Sequence, residues 1–253
     1  MIKINLQGRF GNQMFQYALV RIIAEKNNYN FTVTSKEEFI DENHISKFFP
    51  DLYLGKIDGE LKYSLFEDSN VQKYNPDIFN IPDFTFLNGF FQSDLYFKSY
   101  DEKIKTWFEV ILDEETKSIL NKYPIDEYCY IHVRGTDYSQ NLHWLLNENY
   151  YKSAIEEIKK QLPNISFLII TDDIDYSKKI LPEIECLNNN MMVDFKLLYF
   201  SQYKIISNST FSWWAAWLGD SKITIAPNYW LNYNYPELGF YPVDIKTSKF
   251  QYV

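Results

Sequence analysis

The chain has 253 residues, 46% of them hydrophobic and 19% aromatic, and a net charge of -9, which suffices for one large domain or two small ones around a sizeable core. The acidic balance excludes a general binder of nucleic acid or anionic membranes, since phosphate surfaces call for a basic face, yet it leaves room for a local basic pocket that holds one nucleotide. Positive charge is carried by 22 lysines and only three arginines.

The run Ile2-Lys3-Ile4-Asn5-Leu6 alternates as a strand, residues 8–11 read as a tight loop, and residues 12–26 as a helix with Met14, Phe15, Ala18, Leu19, Ile22 and Ile23 at helical spacing. A second strand follows over 31–34, which completes a β–loop–α–β unit of the kind that builds a parallel sheet. Arg21 falls inside the helix and reads as structural. From 35 to 123 the pattern is lost: Pro50, Pro76 and Pro82 punctuate a mixture of acidic, polar and aromatic residues without a clear period or repeat.

A second alternating unit begins near Tyr128. The spacing predicts a strand over 128–133, a loop over 134–147, a helix over 149–162 with Ile155 and Ile158 inward, and a strand over 166–170 that ends at Thr171-Asp172-Asp173. A short strand over 203–207, a helix over 211–218 and a strand over 222–226 follow. Cys129 and Cys186 are too few for a disulfide framework and read as reduced thiols, Cys129 within an apolar strand. The chain opens directly on its first strand without a charged and apolar leader, and no stretch approaches the roughly 18 apolar residues of a spanning helix. The expectation is a cytoplasmic protein.

Three constellations sit at strand ends, where ligands bind in such sheets. Gly8-Arg9-Phe10-Gly11-Asn12-Gln13 joins two glycines and a guanidinium to a helix start, a combination that favours an anion, although a plain tight turn has the same form. It matches neither the dinucleotide fingerprint nor the phosphate loop, which disfavours a dinucleotide oxidoreductase. His132-Val133-Arg134-Gly135-Thr136-Asp137-Tyr138 gathers a cation, a hydroxyl and a carboxylate, and an arginine in a lysine-rich chain points to a planar fork for phosphate or carboxylate. His132 reads as a site residue or as a satisfied core histidine. Ser207-Asn208-Ser209-Thr210-Phe211-Ser212 leads into Trp213-Trp214-Ala215-Ala216-Trp217-Leu218; its hydroxyls suit a helix cap and equally a diphosphate. The tryptophans read as packing more than as sugar platforms. Asp173-Ile174-Asp175 has a form that can hold a divalent cation, but no His/Cys/Asp/Glu set has convincing metal spacing, so no metal is expected. The aromatic richness also suits a non-catalytic sugar-binding module.

The residues 8–18 and 208–218 resemble the two signature blocks of the α-1,2-fucosyltransferases, glycosyltransferase family 11, and residues 132–138 are similar to that family's H-x-R-R-G-D-Y block. The resemblance implies a GT-B fold: an α/β protein of two Rossmann-like domains facing a cleft, 1–122 on the acceptor side and 123–253 binding the GDP-sugar. It implies an inverting, metal-independent transfer of L-fucose from GDP-β-L-fucose to a hydroxyl of a glycan acceptor, typically O2 of a terminal galactose, with no cofactor beyond the donor substrate. By the same resemblance Arg134 grips the diphosphate, with His132 in the same block; Asp172 or Asp173 accepts from the guanine edge; and Ser209, Thr210, Phe211 and Ser212 surround the phosphates. Arg9 and Asn12, with Gly11 between them, reach toward phosphate and fucose. Asp137 is either the base for the acceptor hydroxyl or the group that orients Arg134. One departure stands out: Gly135 occupies the place of the family's second arginine.

Overall fold

In a computed structural model of the chain, residues 1–35, 44–56, 62–141 and 143–253 are described. They fall into two compact units, Met1–Glu109 with Pro242–Thr247, and Val110–Tyr241 with Ser248–Val253.

The first unit contains β1 (Ile2–Leu6), α1 (Phe10–Asn27), β2 (Phe31–Ser35), α2 (Ile45–Phe48), β3 (Ser64–Glu67), β4 (Thr85–Asn88) and α3 (Asp101–Trp107). Its four strands are parallel in the order β2-β1-β4-β3. The six apolar residues expected on the inner face of α1 are all fully buried. The helix begins at Phe10, two residues before the expected start, so Gly11 lies in its first turn; Gly8 alone of the pair takes the left-handed conformation, at φ 71°. At the other end Asn28 stops the helix at φ 56°, its N–H on the carbonyls of Ala24 and Glu25, as a short polar residue in the left-handed region does. Arg21 is structural: it donates to the Tyr17 hydroxyl at 2.8 Å and lies 4.1 Å above the Trp107 ring.

The second unit contains α4 (Glu114–Lys122), β5 (Tyr128–Val133), α5 (Glu148–Gln161), β6 (Ser166–Thr171), α6 (Ile174–Ile180), β7 (Glu185–Leu187), α7 (Met191–Phe200), β8 (Tyr203–Ile205), α8 (Thr210–Leu218), β9 (Ile223–Ala226) and β10 (Gln251–Tyr252). Its sheet is six-stranded, in the order β10-β9-β8-β5-β6-β7, with every pair parallel. Cys129, Ile131 and Val133 of β5 pack with Ala154, Ile155 and Ile158 of α5 and with Ile169, Ile205 and Ile225 from the neighbouring strands. Each fully buried aliphatic chain here contributes about 1.5–3 kcal/mol. Trp213, Trp214 and Trp217 of α8 are buried too, so they pack.

The division falls after Glu109, ahead of residue 122, because α4 docks on the second unit. Lys196 of α7 pairs with Asp113 at the head of α4, and Tyr123 donates to Glu185 at 2.5 Å. Residues 242–247 return to the first unit, where the Asp244 carboxylate accepts from the Tyr74 N–H at 2.8 Å. Among the described residues no helix is long and apolar enough to cross a membrane.

Candidate functional site

Strand order fixes where each sheet can hold a ligand. In the second unit the chain runs outward from β5 through β6 to β7, then returns to build β8, β9 and β10 on the other flank. The direction reverses between β5 and β8, and the crevice outside the carboxyl ends of that pair is the binding position of open α/β sheets. His132, next to last in β5, has Nδ1 2.8 Å from Oγ of Ser207, just beyond β8. The two residues span the reversal. Burial, set against the pull of Asp172 and reinforced by Arg134, drives the His132 pKa down to about 4, so the imidazole is neutral at physiological pH. It is both a satisfied buried histidine and a brace of the crevice.

Arg134 follows directly. Its Nη1 lies 2.5 Å from Asp172 Oδ2 and its Nη2 2.7 Å from Asp137 Oδ1, with the guanidinium 5.6 Å from the centre of the Tyr138 ring. Asp172, at the end of β6, also accepts from the Gly135 N–H at 2.8 Å and from the Thr136 hydroxyl at 2.8 Å. Burial pushes its carboxyl up, but Arg134, those two donors and His132 together outweigh burial and hold it below the ordinary range. Asp173 has a different task. Its carboxylate accepts from the Tyr176 N–H at 2.9 Å and caps α6.

The head of α8 completes this edge. Asp113, Asn147, Asp173 and Asn190 cap α4, α5, α6 and α7 with their side chains, whereas Ser209 at the head of α8 makes no side-chain cap bond. Ser212 turns its hydroxyl back to the carbonyls of Ser207 and Ser209, at 3.4 and 3.2 Å. Thr210 and Phe211 form the first turn of α8, and the Phe211 ring lies 5.6 Å from the His132 ring. A helix N-terminus offers partial positive charge to an anion. Asn208, inside the block that leads into α8, is nearly fully buried. Its Nδ2 donates to the carbonyls of Trp144 and Trp230, each at 2.7 Å, and its own carbonyl accepts from the Tyr138 hydroxyl at 3.2 Å. One amide thereby ties the loops after β5 and β9 to the head of α8.

In the first unit the order β2-β1-β4-β3 reverses between β1 and β4. Arg9 is exposed at the head of α1, and as the N-cap residue it makes no side-chain cap bond. Asn12 Oδ1 accepts from Gln92 Nε2 at 2.7 Å, a bond across that reversal. The loop that carries Gln92 is held in an unusual shape: Phe91 stands at φ 53°, a costly conformation for a bulky residue, while its N–H is gripped by the Asp68 carboxylate at 2.7 Å. Gln92, Asp68 and Phe91 lie in the region where the sequence shows no period. Among the described residues no group of three or more His, Cys, Asp or Glu side chains is gathered to hold a metal ion.

Fold and site together define a protein of the GT-B class, an α/β chain of two parallel-sheet units with polar constellations at the strand-order reversals. Residues 1–237 match Glycosyl transferase family 11, and the chain belongs to that family. It is 29% identical over 270 residues to an alpha-1,2-colitosyltransferase of Escherichia coli, covering 91% of this chain and 92% of the relative. To the O-antigen biosynthesis glycosyltransferase WbnK of Escherichia coli it is 24% identical over 283 residues, covering 89% and 93% of the two chains. In fold it resembles the fucosyltransferase NodZ from Bradyrhizobium, with a TM-score of 0.51 at 14% identity over 86% of this chain and 92% of that one; the NodZ alpha-1,6-fucosyltransferase co-crystallized with GDP gives the same values.

Proposed function

We propose that the chain transfers L-fucose from GDP-β-L-fucose to a galactose hydroxyl, O2 by the family resemblance, with inversion and without a metal ion. The observation that carries this reading is the Arg134 fork beside the head of α8, at the reversal between β5 and β8. As the bond from fucose C1 to the leaving oxygen breaks, negative charge gathers on the β-phosphate and positive charge on the sugar ring. A fixed guanidinium with helix amides beside it stabilises that phosphate more in the transition state than in the ground state. Within this reading Ser209, Thr210, Phe211 and Ser212 frame the phosphates, and Asp172 or Asp173 takes the guanine edge. Arg9, Gly11 and Asn12 of the first unit serve the sugar and phosphate.

The alpha-1,2-colitosyltransferase relative favours a second donor. Colitose is fucose without its 3-hydroxyl, so one phosphate site serves both sugars. The deciding experiment measures GDP release from GDP-fucose, GDP-colitose and GDP-mannose, and UDP release from UDP-sugars, over a panel of galactosides. Release from GDP-fucose with a galactoside is the expected result; preference for GDP-colitose selects the second reading; turnover of a UDP-sugar alone overturns both.

A further inference from the structure

The loop after β4 is forced into a shape that ends at one side chain. Phe91 stands at φ 53°, a conformation that a bulky residue keeps only where its surroundings impose it. Asp68, just beyond β3, imposes it. Its carboxylate accepts from the Phe91 N–H at 2.7 Å, and the N–H groups of Ser69 and Phe90 bond to it as well. Gly89, at φ 147°, lets the loop close on that residue: a Cβ there would overlap the Cβ of Asp68 and stand 3.2 Å from its carboxylate carbon and backbone nitrogen. Next along the chain, Gln92 is buried, and its Nε2 donates to Asn12 Oδ1 at 2.7 Å.

Asn12 is bounded on its other side by Gly8. A Cβ on Gly8 would overlap Asn12 Nδ2 and stand 3.1 Å from the Phe90 ring. Gly8 is itself held by Gln13, whose Nε2 donates to the Gly8 carbonyl at 2.9 Å while its Oε1 accepts from the Ile45 N–H at 2.9 Å. The Asn12 amide thus has its oxygen on Gln92 and its nitrogen over Gly8. Turning that amide alone would set NH2 against NH2 and lose the bond.

We infer that Gln92 is the positioning residue of Asn12: the loop braced by Asp68 holds the Gln92 amide where it fixes the rotamer and the polarity of the Asn12 side chain, at the strand-order reversal of the first unit. The inference rests on the reading of Asn12 as a residue that serves the sugar and phosphate of the donor. Gln92 acts through Asn12, and the benefit is preorganisation. A side chain ordered before the donor arrives gives up no rotamer freedom on binding and needs no rearrangement as charge develops on the leaving oxygen. The conformation imposed on Phe91 then has a use, since it sets the exit of the loop so that Gln92 reaches α1.

The test is a double-mutant cycle in kcat/KM on the full chain, over wild type, Gln92→Met, Asn12→Ala and the double variant, with melting curves to establish that each is folded. The donor is the nucleotide sugar that wild type turns over fastest. Methionine keeps the volume of glutamine and removes the hydrogen-bond donor. Gln92→Met is expected to lower kcat/KM about five- to ten-fold in the wild-type background, and by no more than about 1.5-fold in the Asn12→Ala background. The side-chain amide signals of Asn12, identified by their loss in Asn12→Ala, are expected to shift in the proton–nitrogen correlation spectrum of Gln92→Met. Equal losses of activity in the two backgrounds overturn the inference, because Gln92 then acts without Asn12, and so do unshifted Asn12 signals. If Gln92→Met does not fold, Gln92→Asn, one methylene too short to reach, takes its place in the cycle. A wild type that turns over only UDP-sugars defeats the GDP-fucose reading alone, and the cycle run with that donor still decides the positioning. Full activity of Asn12→Ala removes Asn12 from the site and overturns the inference with it, while a wild type that turns over no nucleotide sugar overturns both.

Discussion

The Cβ of Asp173 stands 2.4 Å from where a Cβ on Gly135 would be, with its carboxylate carbon and Oδ2 at 2.8 and 2.7 Å. A side chain at position 135 therefore collides with the stem of the residue that caps α6, and the space for the family's second arginine is filled. Gly135→Ala is expected to destabilise the protein by roughly 1–3 kcal/mol through overpacking, read as a lowered Tm. Gly135→Arg is expected to lose more stability and to gain no activity; higher turnover in that variant would show that the loop yields and that the missing arginine was a functional loss.

Arg134→Lys keeps the charge but removes the fork that reaches Asp172 and Asp137 together. With GDP-fucose as donor, kcat/KM is expected to fall by roughly 10²–10³, the range seen when one donor to a developing oxyanion is removed. A loss below about three-fold would remove Arg134 from the leaving-group role.

Asn208→Ala removes both amide bonds that tie Trp144 and Trp230 together. Leaving those carbonyls unpartnered costs roughly 2–4 kcal/mol, measurable by urea unfolding. Asn208→Asp replaces the donor by a carboxylate oxygen facing two carbonyls and is expected to be worse than alanine.

His132 yields a pH dependence with a definite sign. Its folded pKa is about 4 against about 6.5 in the unfolded chain, so between these values the unfolded state binds more protons. Stability is lost as pH falls from about 6.5 toward 4. In Ser207→Ala, which removes the hydroxyl at Nδ1, a loss of about 1–3 kcal/mol is expected at neutral pH. In His132→Gln the acid-side decline is expected to flatten relative to wild type, read as the difference in Tm between pH 7.5 and pH 5.

Asp194, in the first turn of α7, runs the other way. Burial drives its carboxyl up to about 7, against the Asn189 side-chain and backbone hydrogen bonds and with Asp172 adding to the rise. The folded state holds its proton longer than the unfolded state, so this group's contribution is lost as pH rises from about 4 to about 7. Asp194→Asn, which can still accept from Asn189, is expected to gain about 2–4 kcal/mol over wild type above pH 7 and little at pH 4. Because the His132 and Asp194 terms oppose each other in one window, each is read from its own variant minus wild type; an unchanged Tm difference across pH would refute the Asp194 assignment.

The strands β1, β5 and β6 and the helices α1 and α5 were legible because their periodicity is local and their inward faces carry long apolar runs. β3 and β4 were not: each has four residues, and β3 lies largely exposed, so no alternation marks it. α4 escaped for a related reason. Only Thr116 among its residues is buried, and its docking on α7 includes the pair between Asp113 and Lys196, which no local pattern announces. The motif residues Arg9, His132, Arg134, Asp137 and Ser209 could be named because glycines, hydroxyls and rare arginines cluster at strand ends. Asn208 stands in the same block as Ser209, but its bracing role could not be read there, and Gln92 and Asp194 carried no signal, since an amide or carboxyl without a charge partner nearby in sequence looks like any polar residue.

The sequence by itself determined the alternation of strands and helices, the two parallel-sheet halves and the family to which the motifs belong, because hydrophobic period, turn chemistry and short signature blocks are properties of contiguous residues. Only the tertiary structure decided that Asp172 and Asp137 both meet Arg134, that Gly135 is closed to any side chain, and that His132 is neutral. Those outcomes follow from strand order and register, which bring residues 36 to 75 positions apart to within 3 Å of one another. They depend also on burial, which sets the charge state of each group only once its neighbours are in place.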